Sequence, residues 1–329
     1  MKLASLKAGG RDGTLVVVDR RLERAAAAPQ HATTLQDALD DWERVAPGLE
    51  AIHRALEDDP ARGFPLEPEA LAAPLPRAFQ WLDASAYLSH IERARRARGA
   101  EMPPDLYRSP LMYQGGSDGF LGARDPIAAL SEDWGVDFEA ELAVITDDVP
   151  MGASAAHCAG RIRLLMLVND VSLRNLVPGE LAKGFGFVQA KPASACSPVA
   201  VTPDELGDAW DGERVHLAMR CHRNGELVGS PDAGSGMHFG FPELIAHAAA
   251  TRRLGAGTIV GSGTVSNADP SAGCACLIEQ RLLEQLERGA PETPFLGFGE
   301  RVRIDMLDHR GQSVFGAIDQ ELIRAAPPG

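Results

Sequence analysis

The sequence predicts an α+β protein rich in strands, with a small N-terminal unit ahead of one larger domain. Three observations carry this reading. Short apolar runs such as 142–145, 163–168 and 256–260 alternate with glycine- and proline-rich turns, the punctuation of a strand-rich fold. Long helical patterns are few, the clearest spanning 84–98 and 240–253, the second carrying Leu244, Ile245 and Ala248. Prolines at 60, 65, 68, 74 and 76 mark a linker, so the 329 residues divide into 1–77 and 78–329, in keeping with a length that leads one to expect two domains.

In the first unit, residues 2–6 and 14–19 read as two strands around the turn Gly9-Gly10-Arg11-Asp12-Gly13. Thr34-Leu35-Gln36-Asp37 is a capping box, and Leu35, Leu39 and Trp42 follow at helical spacing. Pro47 is expected to interrupt the helix, with Leu49, Ile52 and Leu56 continuing it as a second amphipathic piece. No catalytic constellation stands in this unit, which reads as structural.

Composition excludes several functions. A formal net charge of −14 argues against nucleic acid or an anionic membrane as partner. An acidic protein that binds a small anion needs a local positive centre, which a bound metal can supply. The longest apolar run, Leu164–Val168, is far too short to span a bilayer, and the opening MKLASLKAGGRDG has no apolar signal core, so a cytoplasmic location is expected. Five cysteines, at 158, 196, 221, 274 and 276, lack metal-site spacing and read as reduced, buried thiols.

The strongest chemical signal is the run Val136 to Ile145. On one continuous strand Asp137, Glu139 and Glu141 would share a face, with Phe138, Ala140 and Leu142 on the other. Neighbouring carboxylates repel unless a cation lies between them or water surrounds them. A metal site and a solvated edge strand therefore both fit, and the apolar continuation 142–145 suggests a buried far end. Asp170 ends another apolar run, as a site residue or a helix cap; Arg174, one helical turn beyond, would share its face.

Asp83 opens the expected helix 84–98, which would return His90 to its face two turns on; a plain N-cap and a surface histidine are the bland readings. Arg93, Arg95, Arg96 and Arg98 read as a solvated helix end. Gly261 to Asn267 is a glycine-rich turn without the lysine of a phosphate loop, though its amides could meet a substrate carboxylate. Glu279 is a charge in what reads as an apolar strand, where it needs a pairing, a metal or a chemical role.

Taken together, these residues resemble the fumarylacetoacetate hydrolase family in its two-domain form. The likeness covers about residues 79–320 and rests on five elements in the same order. These are Asp83 with His90, the acidic strand 137–141, Asn169-Asp170-Val171-Ser172-Leu173-Arg174, Lys191 before Pro192, and the turn Gly263-Thr264-Val265-Ser266 leading to Glu279. The resemblance implies a catalytic domain built as a mixed β-sandwich roll, a homodimer, and a metal-dependent hydrolase that cuts a carbon–carbon bond of a small anionic diketo acid, foremost fumarylacetoacetate. It implies metal ligation by Asp83, Glu139, Glu141 and Asp170, an all-oxygen set suited to Mg²⁺, Ca²⁺ or Mn²⁺. It also implies His90 with Glu279 as the water-activating pair, and Arg174 and Lys191 as cations near the leaving carbon. Tyr113, Gly263 and Thr264 would contact substrate. The pattern departs from the animal member at Ser85, where that enzyme has a tyrosine, and at Val177, where it has a glutamine. Decarboxylases, isomerases and hydratases on the same scaffold are the alternative, and a non-catalytic binding protein is the rival from another class.

Overall fold

The computed structural model describes every residue except Arg98, Ala100 and 327–329. Its backbone is an 11-stranded sheet in which Phe64–Pro65, Arg24–Ala27, Thr14–Val18 and Lys2–Leu6 lead through Ala200–Val201 to Ile162–Asn169, Ala140–Thr146, Thr258–Gly261, Gln80–Ala84 and Met112–Gly115. Ala195–Cys196 completes it beside Ile162–Asn169. The N-terminal strands thus extend the sheet of the larger domain, joined by the pairing of Lys2 with Val201 and Leu3 with Ala200. A second sheet of five strands includes Met219–Arg223, Arg301–Met306 and Ile318–Arg324.

Side-chain alternation makes the large sheet a two-sided wall. Leu142, Val144, Leu165, Leu167 and Val260 pack with Met219, Ile304 and Ile318 of the second sheet in one apolar cluster. Ala143, Ile145, Leu164, Met166 and Ile259 pack with Leu35, Leu39, Trp42 and Leu49 of the N-terminal helices in the other. Burial on both faces explains why these strands read as unbroken apolar runs. The outcome is the expected strand-rich α+β protein, an N-terminal domain joined to a larger domain.

Several local expectations change. Thr34 does form the capping box with Asp37, but the helical break falls at Asp41, between Leu35–Asp40 and Trp42–Asp58. Pro47 lies inside the second helix, where it forfeits one backbone hydrogen bond while Leu49 and Leu56 stay buried. The expected helix 84–98 begins only at Leu88 and runs to Arg96; Arg98 lies outside the described residues. The run 136–145 is two strands, Val136–Asp137 and Ala140–Thr146, broken at Phe138 and Glu139. Glu279 stands on the helix Leu277–Arg288 rather than on a strand. The helix expected over 240–253 is shorter, Phe241–Ala248.

Candidate active site

Asp83, Glu141 and Asp170 meet at one end of the large sheet. Asp83 belongs to Gln80–Ala84 and not to a helix opening, Glu141 to Ala140–Thr146, and Asp170 follows Ile162–Asn169. Asp83 continues the alternation of Trp81, Glu141 that of Ala143 and Ile145, and Asp170 that of Met166 and Val168, so all three extend the helix-facing set. Between the first two strands lies Gly261, paired with both Asp83 and Ala143. A Cβ there would come within 2.5 Å of Asp83 Oδ1, so glycine makes the space for the carboxylate. Gly263 lies at φ +76°, where a Cβ would meet the Ala84 carbonyl at 2.3 Å. That close approach lets its N–H donate to Asp83 Oδ1 at 3.2 Å.

One oxygen from each of Asp83, Glu141 and Asp170 lies within 4.8 Å of the others. Glu141 has no exposed surface, and among the described residues neither of its side-chain oxygens has a hydrogen-bond partner. Two carboxylates this close can share only a proton or a cation, since neither is a donor when ionised. Burial, then the Asp170 charge, pushes Asp83 up to about 8. Burial and the charges of Asp83 and Asp170 push Glu141 well above the usual carboxylate range. A buried acceptor without a donor is costly, and an oxygen-seeking cation would resolve that cost for Glu141 while offsetting the charge it shares with Asp83 and Asp170.

Glu139 is placed differently. It lies outside this group of three and is held by cations: Arg174 Nη2 donates to Oε1 at 2.6 Å, Lys191 Nζ to Oε2, and Ser172 Oγ to Oε2 at 3.1 Å. Burial alone would raise it, but Arg174 and Lys191 hold it well below the usual range. The break in the strand also separates Asp137 from the expected shared face. Its carboxylate accepts from the amides of Leu277 at 2.8 Å and Ile278 at 2.9 Å, at a helix N-terminus, and from Arg174 Nε at 2.8 Å. The expectation that Arg174 lies one helical turn from Asp170 fails because Ser172–Leu173 is extended; Arg174 instead bridges Asp137 and Glu139. Asp170 accepts from Lys191 Nζ, from Tyr113 Oη at 2.6 Å and from Ser194 Oγ at 2.7 Å.

A cleft of about 170 Å³ opens over these groups, lined by Asp83, Glu139, Glu141, His90, Tyr113, Arg174, Lys191, Gly263 and Thr264, with Ser85, Val177 and Phe187 among its other walls. It is not the widest cleft: others reach about 760 Å³ and 720 Å³, but Glu205 in the first pairs with Arg20 and Asp319 in the second with Arg301. His90 stands on the rim, and its Nδ1 is 2.7 Å from Glu279 Oε2, a contact across 189 positions.

Glu279 is fully buried; its other oxygen takes Ser266 Oγ at 2.8 Å and Arg93 Nη1. Arg93 is therefore buried and engaged, not part of a solvated helix end. Its spacing three residues after His90 was the available signal, masked by the run of arginines around it. Cys276 lies close enough to His90 and Glu279 for the three to suggest a second metal group. The arginine already bound to Glu279 opposes a cation there.

The family model for the fumarylacetoacetate (FAA) hydrolase C-terminal region matches residues 80–322, and that for fumarylacetoacetase N-terminal domain 2 matches 1–77. No curated protein sequence matches the chain. Among solved structures it is similar to a protein assigned as HpcE from Mycobacterium smegmatis, at 20% identity and a TM-score of 0.69, covering 99% of this chain and 100% of that one. It is also similar to a maleylpyruvate hydrolase from Sphingobium sp. SYK-6, in complex with manganese(II) ion and pyruvate (16%, TM-score 0.65, 99% and 100% covered). A 2-hydroxyhepta-2,4-diene-1,7-dioate isomerase from Mycobacterium marinum shares the fold as well (18%, TM-score 0.60, 99% and 100% covered). At these identities the solved structures establish the fold, while the two family models span nearly the whole chain: it belongs to the fumarylacetoacetate hydrolase family.

Proposed function

We propose that the chain uses one divalent cation to hydrolyse a carbon–carbon bond of a small anionic diketo acid, with fumarylacetoacetate, cut to fumarate and acetoacetate, as the first candidate. The observation that carries the reading is the buried, unpartnered Glu141 beside Asp83 and Asp170, with His90 on the rim of the same cleft. Asp83, Glu141 and Asp170 would hold the ion, with Glu139 as a fourth oxygen donor; a set without sulfur or nitrogen suits Mg²⁺, Ca²⁺ or Mn²⁺. When bound, such a cation polarises a carbonyl oxygen and offsets the negative charge that develops in the reaction.

The side chains supply the rest. His90 takes a proton from water, whose oxygen bonds to a carbonyl carbon, and Glu279 keeps the imidazole in place and stabilises its cation. The bond to the neighbouring carbon breaks, leaving its electron pair on that carbon, which then takes up a proton. Lys191 and Arg174 offset the charge on the departing carbon, already placed by their contacts with Glu139. Tyr113, Gly263 and Thr264 contact the substrate, and Ser85, Val177 and Phe187 shape the remaining wall.

Isomerisation of a related keto acid is the second reading, favoured by the isomerase among the proteins of like fold. We propose a homodimer in the cytoplasm as the working form. Among the described residues no helix is long and apolar enough to cross a membrane. The test is a metal-supplemented assay on fumarylacetoacetate and maleylpyruvate, followed by loss of ultraviolet absorbance, with products separated by chromatography. Two acid fragments support hydrolysis; one product of unchanged mass establishes isomerisation instead. No turnover with Mg²⁺, Ca²⁺ or Mn²⁺ on either substrate sinks the proposed substrate class.

A further inference from the structure

We propose that Arg93 is a positioning residue for His90 and Glu279: its guanidinium anchors Glu279 in the orientation that keeps the imidazole proton on Nδ1. The inference rests on the reading of His90 as base, and its test separates the two. His90 and Arg93 lie three residues apart on the helix Leu88–Arg96 and therefore share a face. They grip one carboxylate from opposite ends. Arg93 Nη1 and Ser266 Oγ both donate to Oε1, while Oε2 is left to His90 Nδ1 at 2.7 Å.

The chemistry depends on which partner of the pair carries the proton. An ionised Glu279 can only accept, so Nδ1 carries the proton and Nε2 is left as the ring nitrogen able to take one from water. A protonated Glu279 would donate to Nδ1 and shift the imidazole proton to Nε2, which removes the base. Burial favours that wrong state, because it penalises the charged carboxylate. Arg93 opposes it with a charge at direct contact, in line with a Glu279 held below the usual carboxylate range despite its burial.

Arg93 is itself fixed. Nη1 donates to Ser266 Oγ at 3.0 Å, and Nη2 to the carbonyls of Asn267 at 2.6 Å and Ala268 at 3.1 Å. Ser89 Oγ lies 2.7 Å from Ser266 Oγ, so the base's helix and the segment after the cleft's glycine turn are tied together. Only a planar fork reaches the carboxylate and both carbonyls at once, which a lysine ammonium cannot do. The plain alternative is that Arg93 merely staples the helix to 266–268, with no bearing on the base.

A mutant cycle on the full chain, assayed with the diketo acid that the enzyme turns over, decides between these. Arg93→Met is expected to lower kcat by roughly 10- to 100-fold, as when a group that orients another is lost. KM should stay within about twofold. Arg93→Lys should recover part of the loss. In a Glu279→Gln background, Arg93→Met should cost less than about twofold more, because its effect runs through the missing carboxylate. Equal losses in both backgrounds would establish the staple and overturn the proposal.

Nitrogen-15 NMR of labelled histidines gives a readout free of turnover. The signal lost in His90→Gln identifies residue 90, which should be the Nδ1–H tautomer in the unaltered chain and gain Nε2–H in Arg93→Met. An unchanged tautomer overturns the proposal. Normal turnover in His90→Gln would instead refute the base while leaving the tautomer result to decide the role of Arg93. Should Arg93→Met fail to fold, Arg93→Lys and the double variant, which removes both members of the buried pair, carry the same comparison.

Discussion

Glu139 and Glu141 stand two residues apart, are both buried, and meet opposite surroundings. Glu139 faces Arg174, Lys191 and Ser172 and is held well below the usual carboxylate range. Glu141 faces Asp83 and Asp170, has no donor among the described residues, and is pushed well above it. Burial is common to the two, so the difference comes from the charge of the neighbours alone. Glu139 is a satisfied ionic contact that can also lean on a cation. Glu141 is a group whose burial makes sense only with a proton or a cation beside it, and this locates the centre of the candidate site more sharply than the size of any cleft.

The largest effect expected from this comparison is that of Glu141→Gln, which should abolish activity and bound metal together. Full activity after exhaustive chelation would remove the metal from the reading. Glu139→Gln should be milder, weakening divalent-ion binding by roughly 10–100-fold, because the converging group of Asp83, Glu141 and Asp170 stays whole. Equal affinities in the two variants, measured by calorimetric titration with Mn²⁺, would erase the distinction. Next in size is His90→Ala, expected to lower kcat by on the order of 10²–10⁴ with metal content intact. Glu279→Gln should cost less, since it mis-orients the base without deleting it.

A smaller effect separates the two glutamates in stability. Asp83, at about 8, and Glu141 have folded values above those of the unfolded chain. The stability gained from their neutral forms is complete below the unfolded value and lost as pH rises through the folded one. The Tm of chelated protein should therefore fall on their account between about pH 5 and 8. Mn²⁺ at a hundredfold excess over its Kd at pH 8 should add about 2.7 kcal/mol there, and the same concentration should give a smaller Tm gain at pH 5, where protons compete for the carboxylates. A gain independent of pH would mean that the ion binds elsewhere.

The smallest effect is that of the thiols, all five free and buried. Replacing them by Ala or Ser should leave kcat within about tenfold if the fold survives. Rapid stoichiometric inactivation by alkylation of Cys196 would contradict this.

The sequence by itself determined the strand-rich class, the capping box at Thr34, and the residue types of the site, because alternation, turn chemistry and carboxylate spacing are local properties. It also marked Glu279 as a buried charge in need of a partner, though on the wrong kind of element. An apolar stretch of four or five residues has no period long enough to distinguish a strand from the first turn of a helix.

Tertiary structure alone decided the rest. Asp83 and His90 belong to a strand and a separate helix, so they line one cleft without sharing a helix face. Asp137 left the acidic set because the chain breaks at Phe138 and Glu139, which sends its carboxylate to the helix at Leu277. Arg93 became the anchor of Glu279 across 186 positions. Charge and spacing are written along the chain, but which charges face one another depends on strand register and helix placement, which are set by the packing of the whole sheet.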